Sequence, residues 1–329
     1  MPFSETDIAA ALLALGQSDF ATLQLLDAAL VAGQHYPQLD PGQPALLLGL
    51  AGPDQARRLA TALVAAYPPE HPAILLAAGQ RQERALSNLT APPEPPPGAH
   101  LFLPPRAGAA TFEALQDVVA HLRAPDGCPW DRALTWEKLR PSLLEETYEL
   151  LAALDACDAR KVLEEQGDLL LQIALQAQIA SEQARYRLPD VIAHIVEKLI
   201  RRHPHVFGEA HVSDEAEVLA NWEAIKAAER AQNGEKRSPL AGVPAGLPAL
   251  AQAEAYLDRM SRLRPAPPQP QPSPTLADLP PGTPVTAEAV GQALFELVAW
   301  ALSHGIEAES ALRQANARFA AQVAAEGWG

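Results

Sequence analysis

The sequence predicts a mainly α-helical protein with a small α/β segment ahead of its helices. Three observations carry this. Between residues 109 and 238, five stretches place apolar residues three and four apart, the spacing of one helix face. Ahead of them, two short apolar runs flank a segment of helical spacing, which reads as strand, helix, strand. Proline is also concentrated. Of 32 prolines, seven fall between Pro92 and Pro105 and nine between Pro265 and Pro284. Such runs lack backbone donors and favour extended linkers. The two clusters cut 329 residues into segments 1–105, 109–238 and 239–329.

Composition narrows the function. Hydrophobic residues make up 48% and charged residues 20%, enough to bury a core. Forty acids against 25 bases give a formal charge of −15. A polyanion needs a basic footprint, so nucleic acid is not an expected partner, and neither is an anionic membrane. Two cysteines, Cys128 and Cys157, make no disulfide framework. The N-terminal residues lack the basic start of a signal peptide, and no apolar run reaches about 18 residues. The expectation is a soluble cytoplasmic protein.

Each element follows in order. Segment 1–105 opens with an expected helix around Asp19–Gly33. Strands are expected at Ala45–Leu50 and Ala73–Ala78, with a helix over Asp54–Ala66 between them, where Leu59 and Leu63 stand four apart. A third run, His100–Leu103, follows the first proline cluster. In the middle segment, helices are expected at Thr111–Arg123, Ser142–Asp155, Arg160–Glu182, Pro189–Arg202 and Asp214–Arg230. Pro125-Asp126-Gly127, His203-Pro204 and Asn233-Gly234 read as stops. The third segment carries helix candidates at Leu250–Arg262, Thr286–His304 and Ala308–Ala325.

Carboxylates carry the chemistry. One helix contains Glu145-Glu146-Thr147-Tyr148-Glu149 and the next Glu164-Glu165-Gln166-Gly167-Asp168. Glu146 and Glu149 share a helix face, as do Glu165 and Asp168, because each pair is three apart. The stretch Leu154–Ala159 between the helices reads as the turn of an antiparallel hairpin. Glu149 and Glu165 both stand eight residues from Cys157, and Glu146 and Asp168 both stand eleven away. With the same rise of about 1.5 Å per residue in both helices, the pairs lie level.

The second helix continues apolar nearly all round from Leu169, so it is expected to be buried. Unpaired carboxylates in such surroundings are costly. A hard divalent cation removes that cost, and Mg²⁺ is the usual one when phosphates share the site. A solvated acidic stripe would explain one Glu-Glu pair. Two level pairs on a buried hairpin argue for a cation.

Basic residues follow. Lys198 and Arg202 are four apart, as are Trp222 and Lys226. A phosphate chain needs cations and a base can stack on an indole. Surface charge and a core tryptophan are the plainer explanation of the same residues.

Five ordered blocks make a closer identification. They are Cys128-Pro129-Trp130-Asp131, Leu144-Glu145-Glu146-Thr147-Tyr148-Glu149, Glu165-Gln166-Gly167-Asp168-Leu169-Leu170, Lys198 through Gly208, and Asn221-Trp222-Glu223-Ala224-Ile225-Lys226. Over residues 111–230 the chain resembles the MazG family of nucleoside triphosphate pyrophosphohydrolases. The resemblance implies an all-α dimer of helical hairpins and Mg²⁺-dependent cleavage of an NTP to NMP and pyrophosphate. It implies that Glu146, Glu149, Glu165 and Asp168 are metal ligands, and that Lys198, Arg202, Trp222 and Lys226 contact the nucleotide. Glu145 is the expected group to orient or deprotonate the water. Some family domains place a lysine three residues before the Glu-Glu pair, whereas this chain has Ser142.

The flanks resemble altered pieces. Tyr67-Pro68-Pro69-Glu70-His71-Pro72 and His100–Pro105 resemble the later half of a tetrapyrrole-methylase-type domain, without the glycine-rich turns of the earlier half. No methyl transfer is expected. Val290-Gly291-Gln292-Ala293-Leu294 resembles the Gly-Asp-Leu-Leu helix of a second MazG copy. There Gln292 replaces the aspartate and Ala289 the glutamate, so no Mg²⁺ is expected. Packing or dimerisation is the expected role of these helices.

Three rivals stand beside this reading. The first is a catalytically inactive helical dimerisation or interaction module, for which level carboxylates have no use. The second is a relative acting on dUTP or phosphoribosyl-ATP, which the Lys198–His205 block disfavours. The third is a zinc site at His203 and His205, which lacks a short Cys-Cys spacing. A homodimer is expected from the resemblance and from the apolar helix 169–180.

Overall fold

The computed structural model describes residues 5–17, 19–232, 240, 242–261 and 286–325. The stop at Asn233-Gly234 and the proline-rich run from Pro265 to Pro284 lie outside the described residues. The chain forms two compact units. One comprises residues up to 139 together with 171–188, and the other comprises 140–170 together with the residues from 189 onward.

The first unit is built on a five-stranded sheet. In chain order its elements are α1 (Glu5–Leu15), β1 (Gln24–Asp27), α2 (Ala28–Ala32), β2 (Ala45–Leu50), α3 (Pro53–Leu63), β3 (Pro72–Ala77), β4 (Gln80–Ala85) and β5 (Ala99–Leu103). The sheet order is β1-β2-β5-β3-β4. β1 and β2 are parallel, and the other neighbours are antiparallel. Strand residues alternate between faces. Leu47, Leu75, Leu101 and Leu103 pack with α2 and α3 through Val31, Leu59 and Leu63. Leu46, Leu48, Ile74, Leu76 and Phe102 pack with Ala11 and Leu15 of α1. The expected strands at Ala45–Leu50, Ala73–Ala78 and His100–Leu103 thus form the middle of a sheet covered on both faces.

One local expectation is corrected. Residues 19–33 are not a single helix but β1 followed by the short α2. Leu25 and Leu26 pair with Leu46 and Leu47, and the Asp27 carboxylate caps α2 by accepting from the Ala29 N–H at 2.7 Å. That pairing joins residues about twenty positions apart, so local spacing does not reveal it. β4, Gln80-Arg81-Gln82-Glu83-Arg84-Ala85, is a polar strand with no apolar alternation to announce it.

Helices complete this unit. α4 (Phe112–Arg123) is capped by Thr111, and α5 (Pro129–Arg132) follows. α6 (Trp136–Asp155) and α7 (Ala159–Glu182) each pass from one unit to the other. α6 starts earlier than the expected Ser142 and runs through Pro141. The hydroxyl of Thr135 accepts from the Lys138 N–H and starts the helix six residues before the proline. Within the first unit, Val119, Leu134 and Leu139 pack on Ala174, Leu175 and Ile179 of α7. Arg123 holds Glu182 through two bonds of 2.8 and 2.7 Å. One face of the apolar half of α7 is therefore buried, through Ala174, Leu175, Ala177, Ile179 and Ala180, while Leu170 and Ile173 stay exposed, so the expected all-round burial holds for that face only.

The second unit is helical among its described residues. It adds α8 (Leu188–Arg202, counted from Pro189), α9 (Pro204–Phe207), α10 (Glu215–Gln232), α11 (Ala249–Ser261), α12 (Ala287–Ser303) and α13 (Ala308–Ala325). α11 packs against α12 and α13. Among the described residues no single helix is long and apolar enough to cross a membrane. α12 and α13 pass that test only together, as a pair bent by 104°.

Candidate active site

The hairpin turn fixes the register of the acids. Cys157 takes a left-handed conformation at φ 53°. Its N–H bonds the Leu154 carbonyl, and the Asp158 N–H bonds that of Ala153. This is the paired closure that ends a helix in a left-handed residue. The Asp158 carboxylate then accepts from the N–H groups of Arg160 and Lys161, opening α7. The chain reverses within three residues, and equal counts from Cys157 fall level.

The structure gathers Glu146 of α6 with Glu165 and Asp168 of α7. One ligand oxygen from each lies within 4.8 Å of the others. Glu165 is 9% exposed. Burial, and then the charge of Asp168, raises the Glu146 carboxyl above its ordinary range, with Glu149, Glu165 and Glu145 adding to it. Burial, and then the charge of Glu149, raises Glu165 in the same way. The strongest acidic neighbour of each is the residue level with it across the turn, Asp168 for Glu146 and Glu149 for Glu165. Glu149 itself stays outside the trio and is exposed, as is Glu145.

Such a group fits a metal ion. Hard cations take carboxylate oxygens, and a cation would relieve both the burial and the mutual repulsion that hold these acids up. Residues 289 and 292 on α12, where the sequence resembles this turn, carry no carboxylates. Gln292 is exposed and its amide donates to Glu296 at 2.7 Å, and Ala289 has no ligand atom.

A second cluster forms where the end of α8 meets α10. The Arg202 guanidinium carbon lies 5.7 Å from the centre of the Trp222 ring. His203 meets the same indole edge-on at 4.9 Å. Its Nδ1 lies 2.7 Å from the Leu199 carbonyl, which holds the ring in place. Lys226 donates to Glu223 at 2.8 Å. Arg202 and Trp222 are therefore brought together, while Lys226, one turn along α10 from Trp222, is paired with Glu223. Lys198 is half-buried, one turn before Arg202.

Sequence reading missed two members of this cluster, His203 as a ring partner and Glu229 as an ion-pair partner. Glu229 binds both Arg201 and Arg202, and the two hydrogen-bonded arginines hold its carboxyl down at about 2. The signal was present. Trp222, Lys226 and Glu229 stand at intervals of four and three on α10, which is one helix face.

Comparison with known proteins places the hairpin in a family. A family model described as the MazG nucleotide pyrophosphohydrolase domain matches residues 134–207. That stretch contains the acid trio, Lys198 and Arg202, but not Trp222 or Lys226. The uncharacterized protein YabN of Bacillus subtilis is 44% identical over 169 residues, covering 51% of this chain and 33% of that protein. The nucleoside triphosphate pyrophosphohydrolase of Escherichia coli K12 is 42% identical over 153 residues, covering 46% of this chain and 58% of the enzyme. The chain therefore spans less than two thirds of the length of either relative. It covers more of an uncharacterized 26.1 kDa protein of Streptomyces cacaoi, 72% of that protein at 38% identity. On the matched domain and the extent of this likeness, the chain belongs to the MazG family.

Proposed function

We propose that the chain is a Mg²⁺-dependent pyrophosphohydrolase that cleaves a nucleoside or deoxynucleoside triphosphate to the monophosphate and pyrophosphate. The observation that carries this reading is the convergence of Glu146, Glu165 and Asp168 within 4.8 Å on the α6–α7 hairpin. The name of the E. coli relative supports the same activity.

Glu146, Glu165 and Asp168 would hold the cation, with Glu149 completing the set. A divalent cation there supplies positive charge to triphosphate oxygens and acidifies water. Glu145 is our candidate to orient the attacking water. The water adds to phosphorus, the bridge between the α- and β-phosphates breaks, and pyrophosphate leaves. Lys198, Arg202 and Lys226 would stabilise the charge that develops, and Trp222 would stack on the base. Stacking accepts any base, so the base preference follows from other contacts.

The working form would be a cytoplasmic homodimer. In support, α8 leaves Ile195, Val196, Leu199 and Ile200 between 44% and 47% exposed, an apolar face suited to a second copy. We take segment 1–105 as a methylase-like remnant without methyl transfer, 109–238 as the hydrolase domain, and 239–329 as a linker with helices that serve packing.

The test is pyrophosphate release from a panel of NTPs and dNTPs with Mg²⁺, comparing the chain with Glu149→Ala. Release from the chain that the substitution removes is the expected result. A folded chain that releases no pyrophosphate from any nucleotide would leave the helical interaction module as the better account.

A further inference from the structure

Glu229 joins the cation cluster in a way the proposed reaction does not yet use. Its carboxylate accepts from Arg201 through Nε and Nη2, both at 2.8 Å. It accepts from Arg202 through Nε at 3.2 Å and through Nη2. The side chains of Arg202 and Glu229 are only 16% and 18% exposed, whereas Arg201 is 48% exposed. Exposed ion pairs hold little, but a partly buried bidentate one fixes geometry.

The remaining geometry says what is being fixed. Arg202 is gripped on one edge by Glu229 and on one face by the Trp222 ring, at a distance that suits a cation–π contact. A guanidinium has five N–H donors, and the Nε–Nη2 edge uses only some of them. Arg201 also reaches Glu197 at 3.9 Å, so Arg202 is the more buried of the two arginines that share Glu229. A flexible arginine loses side-chain entropy when it captures an anion, and one already held loses less.

We propose that Glu229 is a positioning residue, holding Arg202 against Trp222 so that its free guanidinium edge meets a phosphate oxygen of the nucleoside triphosphate. This rests on the function proposed above. The opposing possibility is that Glu229 competes with phosphate for Arg202. The two roles differ in sign. Coulomb's law alone says that removing a negative charge beside an anion site tightens anion binding. Removing a positioning group loosens it.

The experiment compares the chain with Glu229→Gln and Glu229→Asp. It measures kcat and KM for pyrophosphate release, the Kd of a non-hydrolysable triphosphate analogue, and Tm. For Glu229→Gln we expect KM and Kd to rise about tenfold while kcat stays within about threefold, the pattern of lost ground-state and transition-state binding alike. Glu229→Asp, which keeps the charge, should fall between the two and covers the case in which the glutamine variant fails to fold. An unchanged or lower KM and Kd in Glu229→Gln would overturn the proposal while leaving the hydrolase intact. If the unsubstituted chain binds no triphosphate, both readings fail, and that result shows before any variant is compared.

Discussion

On α7 the run Glu165-Gln166-Gly167-Asp168 leads into Leu169-Leu170. On α12 the run Ala289-Val290-Gly291-Gln292 leads into Ala293-Leu294. Both are interior helix turns around a glycine, and at both glycines an added Cβ would meet nothing within 4 Å. Their energetics differ. On α7, Glu165 is buried and pushed up by burial and by its acidic neighbours. On α12 the polar side chain satisfies itself one turn along, from Gln292 to Glu296, as helix pairs of this spacing do.

The α12 sequence therefore shows that a helix turn of this kind forms without acids at residues 289 and 292. On α7, the raised carboxyl of Glu165 costs stability in the bare chain, which a bound cation would relieve. α13 bonds the same hairpin. Its Ser310 hydroxyl and Arg313 Nε donate to the Asp155 carboxylate at 2.6 and 2.8 Å, at the tip of α6.

The largest expected effect breaks the comparison at its acids. Changes to groups that merely support metal ligands cost about 10–100-fold. Glu165→Gln should therefore lower pyrophosphate release by at least about 100-fold, while Gln292→Ala should change it less than about twofold. Steady-state rates at saturating Mg²⁺ check both. Comparable losses from the two substitutions would mean that the α12 turn also serves the reaction.

A smaller effect belongs to the anchor. Arg313→Ala leaves Asp155 without its charged partner and should cost roughly 1–3 kcal/mol, read by urea unfolding. Asp155 also gives this contact a pH dependence. The hydrogen bonds from Ser310 and Arg313 hold its carboxyl below its ordinary value of 3.8. The unfolded state thus takes up the proton first on acidification. The stabilisation is complete above about pH 4 and is lost as pH falls through the lowered value. Asp155→Asn should remove that acid-limb dependence and leave the neutral plateau lower.

The smallest effects concern the glycines. Gly291→Ala should stabilise the chain by about 0.5–1 kcal/mol, because alanine loses less backbone entropy in a helix. Gly167→Ala should do the same for the bare helix. If a nucleotide or a second copy approaches α7 at Gly167, that substitution lowers activity while raising Tm, whereas Gly291→Ala leaves activity alone. Paired melting and rate measurements separate the two glycines.

Much of this was legible in the sequence, for identifiable reasons. Helices α4, α7, α8 and α10–α13 announce themselves by apolar spacing, and the level of the acids follows from counting residues out from Cys157. The strands β2, β3 and β5 show as buried apolar runs. What escaped is non-local or polar. β1 is defined by pairing with β2, and β4 by pairing with β3, so neither carries its own pattern. The start of α6 at Trp136 was hidden because Pro141 reads as a boundary, although Thr135 supplies the cap. In the site, four acids were expected to converge; Glu146, Glu165 and Asp168 lie within 4.8 Å of one another, while Glu149 stands outside as an electrostatic neighbour. Glu229 escaped because a lone glutamate on a charged helix reads as solvated until its arginines are seen.

The central claim is that the acid trio of the α6–α7 hairpin, and not the matching turn of α12, holds a divalent cation. A Mn²⁺ titration of the full chain followed by electron paramagnetic resonance tests it most directly, run beside Glu165→Gln and Gln292→Ala. The account predicts saturable binding to the chain and to Gln292→Ala, weakened at least about tenfold in Glu165→Gln. Equal Mn²⁺ affinity in all three proteins would contradict it.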